Sequence, residues 1–152
     1  MQYRWLIAMM IVVAGCGDDP DTESFEGAWR LTSVNTQPLP APANTFPGKM
    51  WLAGILQLAG DGGSFDWCWE DPATSAQSST SDYLALNPIS GERVEVSYFG
   101  RREPVPDTAT VSGSGLTLRA RSVSVGGTVN GIDVLKFVRM TGEIPAACSL
   151  AP

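Results

Sequence analysis

Arg93-Val94-Glu95-Val96-Ser97-Tyr98 places Val94, Val96 and Tyr98 on one face of an extended chain and Arg93, Glu95 and Ser97 on the other. Successive side chains of a strand point to opposite faces, so this period of two describes a strand with one dry wall and one wet wall, the habit of antiparallel sheets. The same pattern recurs at residues 28–34, 54–58, 64–70, 82–86, 108–112, 116–121 and 134–140, with a further fragment at 123–125. From Gly27 onward no long run of helical period interrupts it, which predicts an all-β domain of about eight strands.

Turn chemistry separates the runs: Gly60-Asp61-Gly62-Gly63, Ser90-Gly91, Gly113-Ser114-Gly115 and Asn130-Gly131, the last a pair suited to a type I′ hairpin. Consecutive strands joined by tight turns form a meander, and closing it into a small barrel removes both exposed edges. Two stretches fall outside the pattern. Residues 36–47, with Pro38, Pro40, Pro42 and Pro47, predict a long crossing loop, followed by a short helical turn over 50–53. Residues 72–81, rich in Ser, Thr and Ala, predict a mobile loop.

The N-terminal end reads differently. Arg4 precedes an apolar run from Trp5 to Val13 that ends in Ala14 and Gly15, the layout of an export signal. The run falls short of the roughly 20 apolar residues that a spanning helix needs. Val13-Ala14-Gly15-Cys16 resembles the lipobox of bacterial lipoproteins. That resemblance implies cleavage before Cys16 and attachment of lipid to its thiol, with several palmitate-like acyl chains, each methylene contributing about 0.8 kcal/mol to a lasting membrane anchor. It also implies that Gly17, where an Asp would favour inner-membrane retention, directs the protein to the outer membrane of a cell that has two. The expected organisation is a signal at 1–15, a lipidated polar tether at 16–24, a barrel domain at 25–141 and a C-terminal tail at 142–152.

The chain carries 10 Lys and Arg against 16 Asp and Glu, a net charge of −6. Loss of Arg4 with the signal makes the mature body more acidic still, so nothing draws it to a nucleic-acid backbone, which calls for a basic patch. With Cys16 committed to lipid, Cys68 and Cys148 remain in an oxidising compartment, and a disulfide between them is expected. The sequence has no His, which removes Ser-His and Cys-His nucleophile systems and imidazole metal sites. Glu70 and Asp71 are neighbours on a strand and point apart, a poor start for a carboxylate pair. Gly60-Asp61-Gly62-Gly63 lacks the alternating oxygen ligands of a calcium loop. No enzyme activity, metal or cofactor is expected.

Ser64-Phe65-Asp66-Trp67-Cys68-Trp69-Glu70 puts Phe65, Trp67 and Trp69 on one face. Together with Tyr98 they either wall a cavity for a small apolar ligand or fill the barrel as its core. If they point inward, Cys68 points outward, and a disulfide to Cys148 would staple the tail to the outer wall. Arg101 and Arg102, beside Tyr98 and Phe99, form the one doubled basic site, suited to an anionic ligand or to a solvated strand end.

The segment from Phe25 to Pro40, with its Gly27-Ala28-Trp29 start, resembles the opening of bacterial lipocalin-like domains. Gly113-Ser114-Gly115-Leu116-Thr117-Leu118 and Leu135-Lys136-Phe137-Val138-Arg139 are similar to that family's late strands. The resemblance implies a calyx plugged at one end by Trp29 under the Arg139 guanidinium, and binding of a small apolar or amphiphilic ligand; the alternative is a structural or interaction protein of the envelope with a filled barrel. The META domain of other envelope lipoproteins shares the Trp29 to Pro40 style of opening, but carries Gly-Cys-Asn where this chain has Asp66-Trp67-Cys68-Trp69.

Overall fold

In the computed structural model, residues 23–99, 106–123 and 129–152 are described. The expectations for the signal, for Cys16 and most of its tether, for Arg101 and Arg102, and for a strand at 124–125 lie outside these residues. A 3₁₀ turn, Glu23–Phe25, leads into ten strands: β1 Gly27–Val34, β2 Gln37–Pro38, β3 Ala41–Pro42, β4 Met50–Ala59, β5 Gly62–Asp71, β6 Ala76–Ser90, β7 Arg93–Tyr98, β8 Asp107–Ser112, β9 Gly115–Val123 and β10 Val129–Arg139. A second 3₁₀ turn, Ala147–Leu150, lies in the tail.

From β4 onward each strand pairs antiparallel with the next, and β10 returns to β1 with Trp29 opposite Arg139. β1 also pairs with β4, from Gly27 opposite Leu58 to Arg30 opposite Ile55, and this closes the sheet. The eight long strands thus form the closed antiparallel barrel that the alternation predicts, with the two-residue β2 and β3 clinging to β1 and β4. Up-and-down order places the turns at 60–61, 91–92 and 113–114 at one end, beside the start of β1. Residues 35–49 and the turn at 72–75 lie at the other.

Three local expectations are corrected. Met50 to Ala53 are strand, not a helical turn. The run Trp51-Leu52-Ala53-Gly54-Ile55-Leu56 does not alternate because both of its faces are buried: Trp51 and Leu56 join the interior, while Leu52 and Ala53, across a bulge, lie in a separate outer cluster. Residues 76–81 are the start of β6 rather than loop. Here Thr80 and Ser78 stand opposite Trp67 and Trp69, and small polar side chains leave space for the indoles while the backbone ladder holds the strand. Asn130 and Gly131 lie within β10 instead of forming a hairpin turn. Gly131 answers a different need, since a Cβ there would lie 2.2 Å from the carbonyl oxygen of Asn44, whose loop passes directly over it.

The interior is one apolar cluster drawn from every long strand, with Trp29, Leu31, Phe65, Leu84, Leu118 and Phe137 among its members. The outer cluster packs Leu52, Ala53 and Cys68 against Cys148, Leu150 and Ala151 of the tail. Cys68 and Cys148 are joined by a disulfide, their Cα atoms 5.0 Å apart, so the tail is stapled to the barrel wall. The alternation that turns Phe65 and Trp67 inward turns Cys68 outward to meet it.

Candidate functional site

The two ends of the barrel are closed by different chemistry. At the turn end, Trp29 is wholly buried and its Nε1 donates to the Phe25 carbonyl at 2.8 Å. The Arg139 guanidinium lies 4.3 Å from the centre of the Trp29 ring and donates to the carbonyls of Ser24, at 2.9 Å, and Glu26.

At the other end residues 35–49 cross the barrel as a lid. Its inner part is a small loop of its own, with Ala43 N–H donating to the Lys49 carbonyl at 2.9 Å and Lys49 N–H to the Phe46 carbonyl at 3.0 Å, so that Phe46 stands near its tip. The Phe46 ring stacks on Trp67, 4.9 Å between centroids at 29°. Trp67 meets Trp51 at 4.8 Å, Trp51 lies over Phe65 at 5.9 Å, and Phe65 contacts Phe137 edge to face at 5.8 Å. Trp69, partly buried, packs against the same cluster, and Lys49 Nζ stands 4.6 Å from its ring. Tyr98 lines the same interior from β7. The four residues singled out from the sequence are therefore brought to one interior, while Trp51 and Phe46 escaped notice: Trp51 was hidden in a run without alternation, and Phe46 in a proline-rich loop.

Asp133, on β10 and fully buried, fastens the lid. Its Oδ1 accepts from Asn35 Nδ2 at 2.7 Å and from Asn44 N–H at 3.0 Å. Oδ2 accepts from Thr45 N–H at 3.0 Å, Thr45 Oγ1 at 2.6 Å and Trp51 Nε1 at 3.2 Å. Burial pushes this carboxyl up, but the donors from Thr45, Asn44 and Asn35 together outweigh burial and hold it below the usual carboxylate range. Asp133 in Ile132-Asp133-Val134 carries no motif that marks it in the sequence.

The barrel's buried indole N–H groups now separate. Those of Trp29 and Trp51 have partners, whereas Trp67 Nε1, enclosed in the barrel with its indole, has none among the described residues. An unmet buried donor costs about 1 to 3 kcal/mol. Asp71, beside the aromatic face, is tied to Lys49 Nζ at 2.6 Å and to Ala73 N–H at 3.0 Å, and these bonds, Lys49 first, lower its carboxyl. Among the described residues no group of three or more Cys, Asp or Glu could hold a metal ion.

A concavity of about 540 Å³ lies on the surface near the turn end, between Gly63, Tyr83 and Ile144. Its lining offers no charged group. In comparison with known proteins, no family model, no curated protein and no solved structure matches this chain.

Proposed function

We propose that this is a lipid-anchored lipoprotein of the bacterial envelope whose lipocalin-like barrel binds a small apolar or amphiphilic molecule at its lidded end, without turning it over. Trp67 carries the reading: a buried N–H without a partner among the described residues, under a lid whose tip hangs on hydrogen bonds, is a place where a ligand recovers something those residues leave open. The anchor reading rests on Val13-Ala14-Gly15-Cys16, and the outer-membrane reading on Gly17. Incorporation of labelled palmitate into the chain, lost in Cys16→Ala, tests the anchor.

The binding test is native mass spectrometry of the full chain isolated from bacterial envelopes, followed by organic extraction. A discrete extra mass, released on extraction, is the expected result; a bare polypeptide in repeated preparations overturns it. A bare chain would favour a structural or interaction protein with a filled barrel, a reading with one observation of its own: large side chains from every long strand occupy the interior.

A further inference from the structure

We propose that the barrel rests against the lipid bilayer that anchors it, and that the surface around the concavity between Tyr83 and Ile144 is the face in contact. The proposal rests on the reading of Cys16 as the anchor, and adds to it which side of the body meets the membrane.

The place of the tether comes first. Gly27 and Ala28 line the concavity, and the turn Glu23–Phe25 leads directly into them. Seven peptide units separate Cys16 from Glu23, a span of at most roughly 25 Å when fully extended. Lipid on Cys16 therefore keeps this side of the barrel near the bilayer. Within that reach, contact with the surface is an intramolecular event, and an apolar patch too weak to hold a free protein suffices.

The surface there is apolar. Among the described residues the exposed large apolar side chains are Tyr83, Ile89, Phe99, Val138 and Ile144, and none of them belongs to the lid. Tyr83, 68 % exposed, and Ile144, 42 % exposed, flank the concavity. Phe99 extends the patch beside Tyr83, its N–H donating to the Tyr83 carbonyl at 2.9 Å. Two large rings side by side on an outer wall mark a surface meant to be covered.

The chemistry of what covers it follows from charge. The lining of the concavity holds no charged group, whereas the turn tips at this end carry the exposed Asp61 and Glu92. An acidic body gains nothing from an anionic surface, so the contact is made by apolar groups at the acyl boundary while the tip carboxylates stay in water. Tyr83 suits that level, with an apolar ring and a hydroxyl that reaches the headgroups. The lid, at the opposite end, stays in water, where the bonds of Asn44 and Thr45 to Asp133 exchange for bonds to solvent.

The test uses the full chain, matured in cells supplied with labelled palmitate and placed in phosphatidylcholine nanodiscs in which a small fraction of the lipid carries a nitroxide on its headgroup. Relaxation enhancement at the Tyr83 and Ile144 side chains should be several-fold that at Thr45 and Phe46 of the lid. It should persist at high salt, which screens charges and leaves apolar contacts in place. The double variant Tyr83→Ser with Ile144→Ser alters two exposed side chains and should lose the difference.

Equal enhancement at both sets, in a chain that carries palmitate, overturns the proposal and leaves the anchor standing. A chain without palmitate overturns the anchor reading and the proposal with it. If enhancement is equal and Tyr83 is iodinated more slowly in intact envelopes than in nanodiscs, the patch meets a protein or a glycan instead of lipid, and the proposal is again overturned. The comparison within the wild-type molecule needs no substitution, so a double variant that fails to fold does not protect it.

Discussion

The turn end and the lidded end of this barrel are each closed around a buried tryptophan, yet only at the first does the closing side chain come from a long strand of the ladder. At the turn end Trp29 and Arg139 are register partners on adjacent strands, so the cation over the indole is positioned by the same backbone bonds that close the sheet. At the lidded end the segment from 35 to 49 is laddered at its roots, β2 on β1 and β3 on β4, while its tip around Asn44 and Thr45 is held by side-chain bonds to Asp133 and Lys49 is tied to Asp71. Closure by the long strands can be lost only with the barrel itself, whereas a loop tip held by side chains can open alone. Local openings of that kind lie far below the free energy of global unfolding. On the proposed reading, stability belongs to the first end and access to the second.

The largest expected effect is at the turn end. Trp29→Ala removes a wholly buried indole and should cost about 3 to 5 kcal/mol, read as a lower denaturant midpoint of the whole barrel. An unchanged midpoint would mean that this end is not where the sheet is locked. The disulfide comes next. It joins positions 80 residues apart, and Cys148→Ser should cost about 2 to 4 kcal/mol while exposing the tail to proteases. Because Cys68 is flanked by Trp67 and Trp69 on β5, the loss should also loosen the lidded end before the turn end. Equal loosening of both would blur the contrast between them.

How much of this was legible depended on which faces were wet. β7 is legible because Arg93, Glu95 and Ser97 face water while Val94, Val96 and Tyr98 do not. β4 is only half legible because the tail covers its outer face, and a strand buried on both sides shows no period. The Cys68 to Cys148 bridge and its outward placement could be reached from alternation and cysteine arithmetic. The lid latch could not. Asp133 looks like any acidic residue of an alternating strand, and the loop that buries it is brought there by contacts about 90 positions distant in the chain. Gly131 had a visible signal, but Asn130-Gly131 pointed to a turn, whereas the glycine leaves room for the Asn44 carbonyl.

Two predictions on Asp133 sharpen the contrast most finely. Asp133→Asn keeps the shape but turns an amide nitrogen toward donors of Asn35, Asn44 or Thr45, and should cost about 1.5 to 3 kcal/mol, less than Trp29→Ala. Hydrogen exchange should show it as lost protection at the Asn44 and Thr45 amides, with the Arg30 to Val138 ladder little changed. The pH effect is smaller and has a fixed sign. The folded carboxyl is held below its ordinary value of about 3.9, so the charged form is the one the lid stabilises. That contribution is complete above the unfolded value and is lost as pH falls through the lower folded one. Acid should therefore release the lid over a window that begins near pH 4 and extends downward, with protection at Asn44 and Thr45 falling ahead of that at Trp29 and Arg139. Asp133→Asn should remove this step, because an amide has no proton to gain there. If the step persists in that variant, a different carboxylate governs the lid; if both ends lose protection together, the lid is part of the barrel's cooperative unit and does not open by itself.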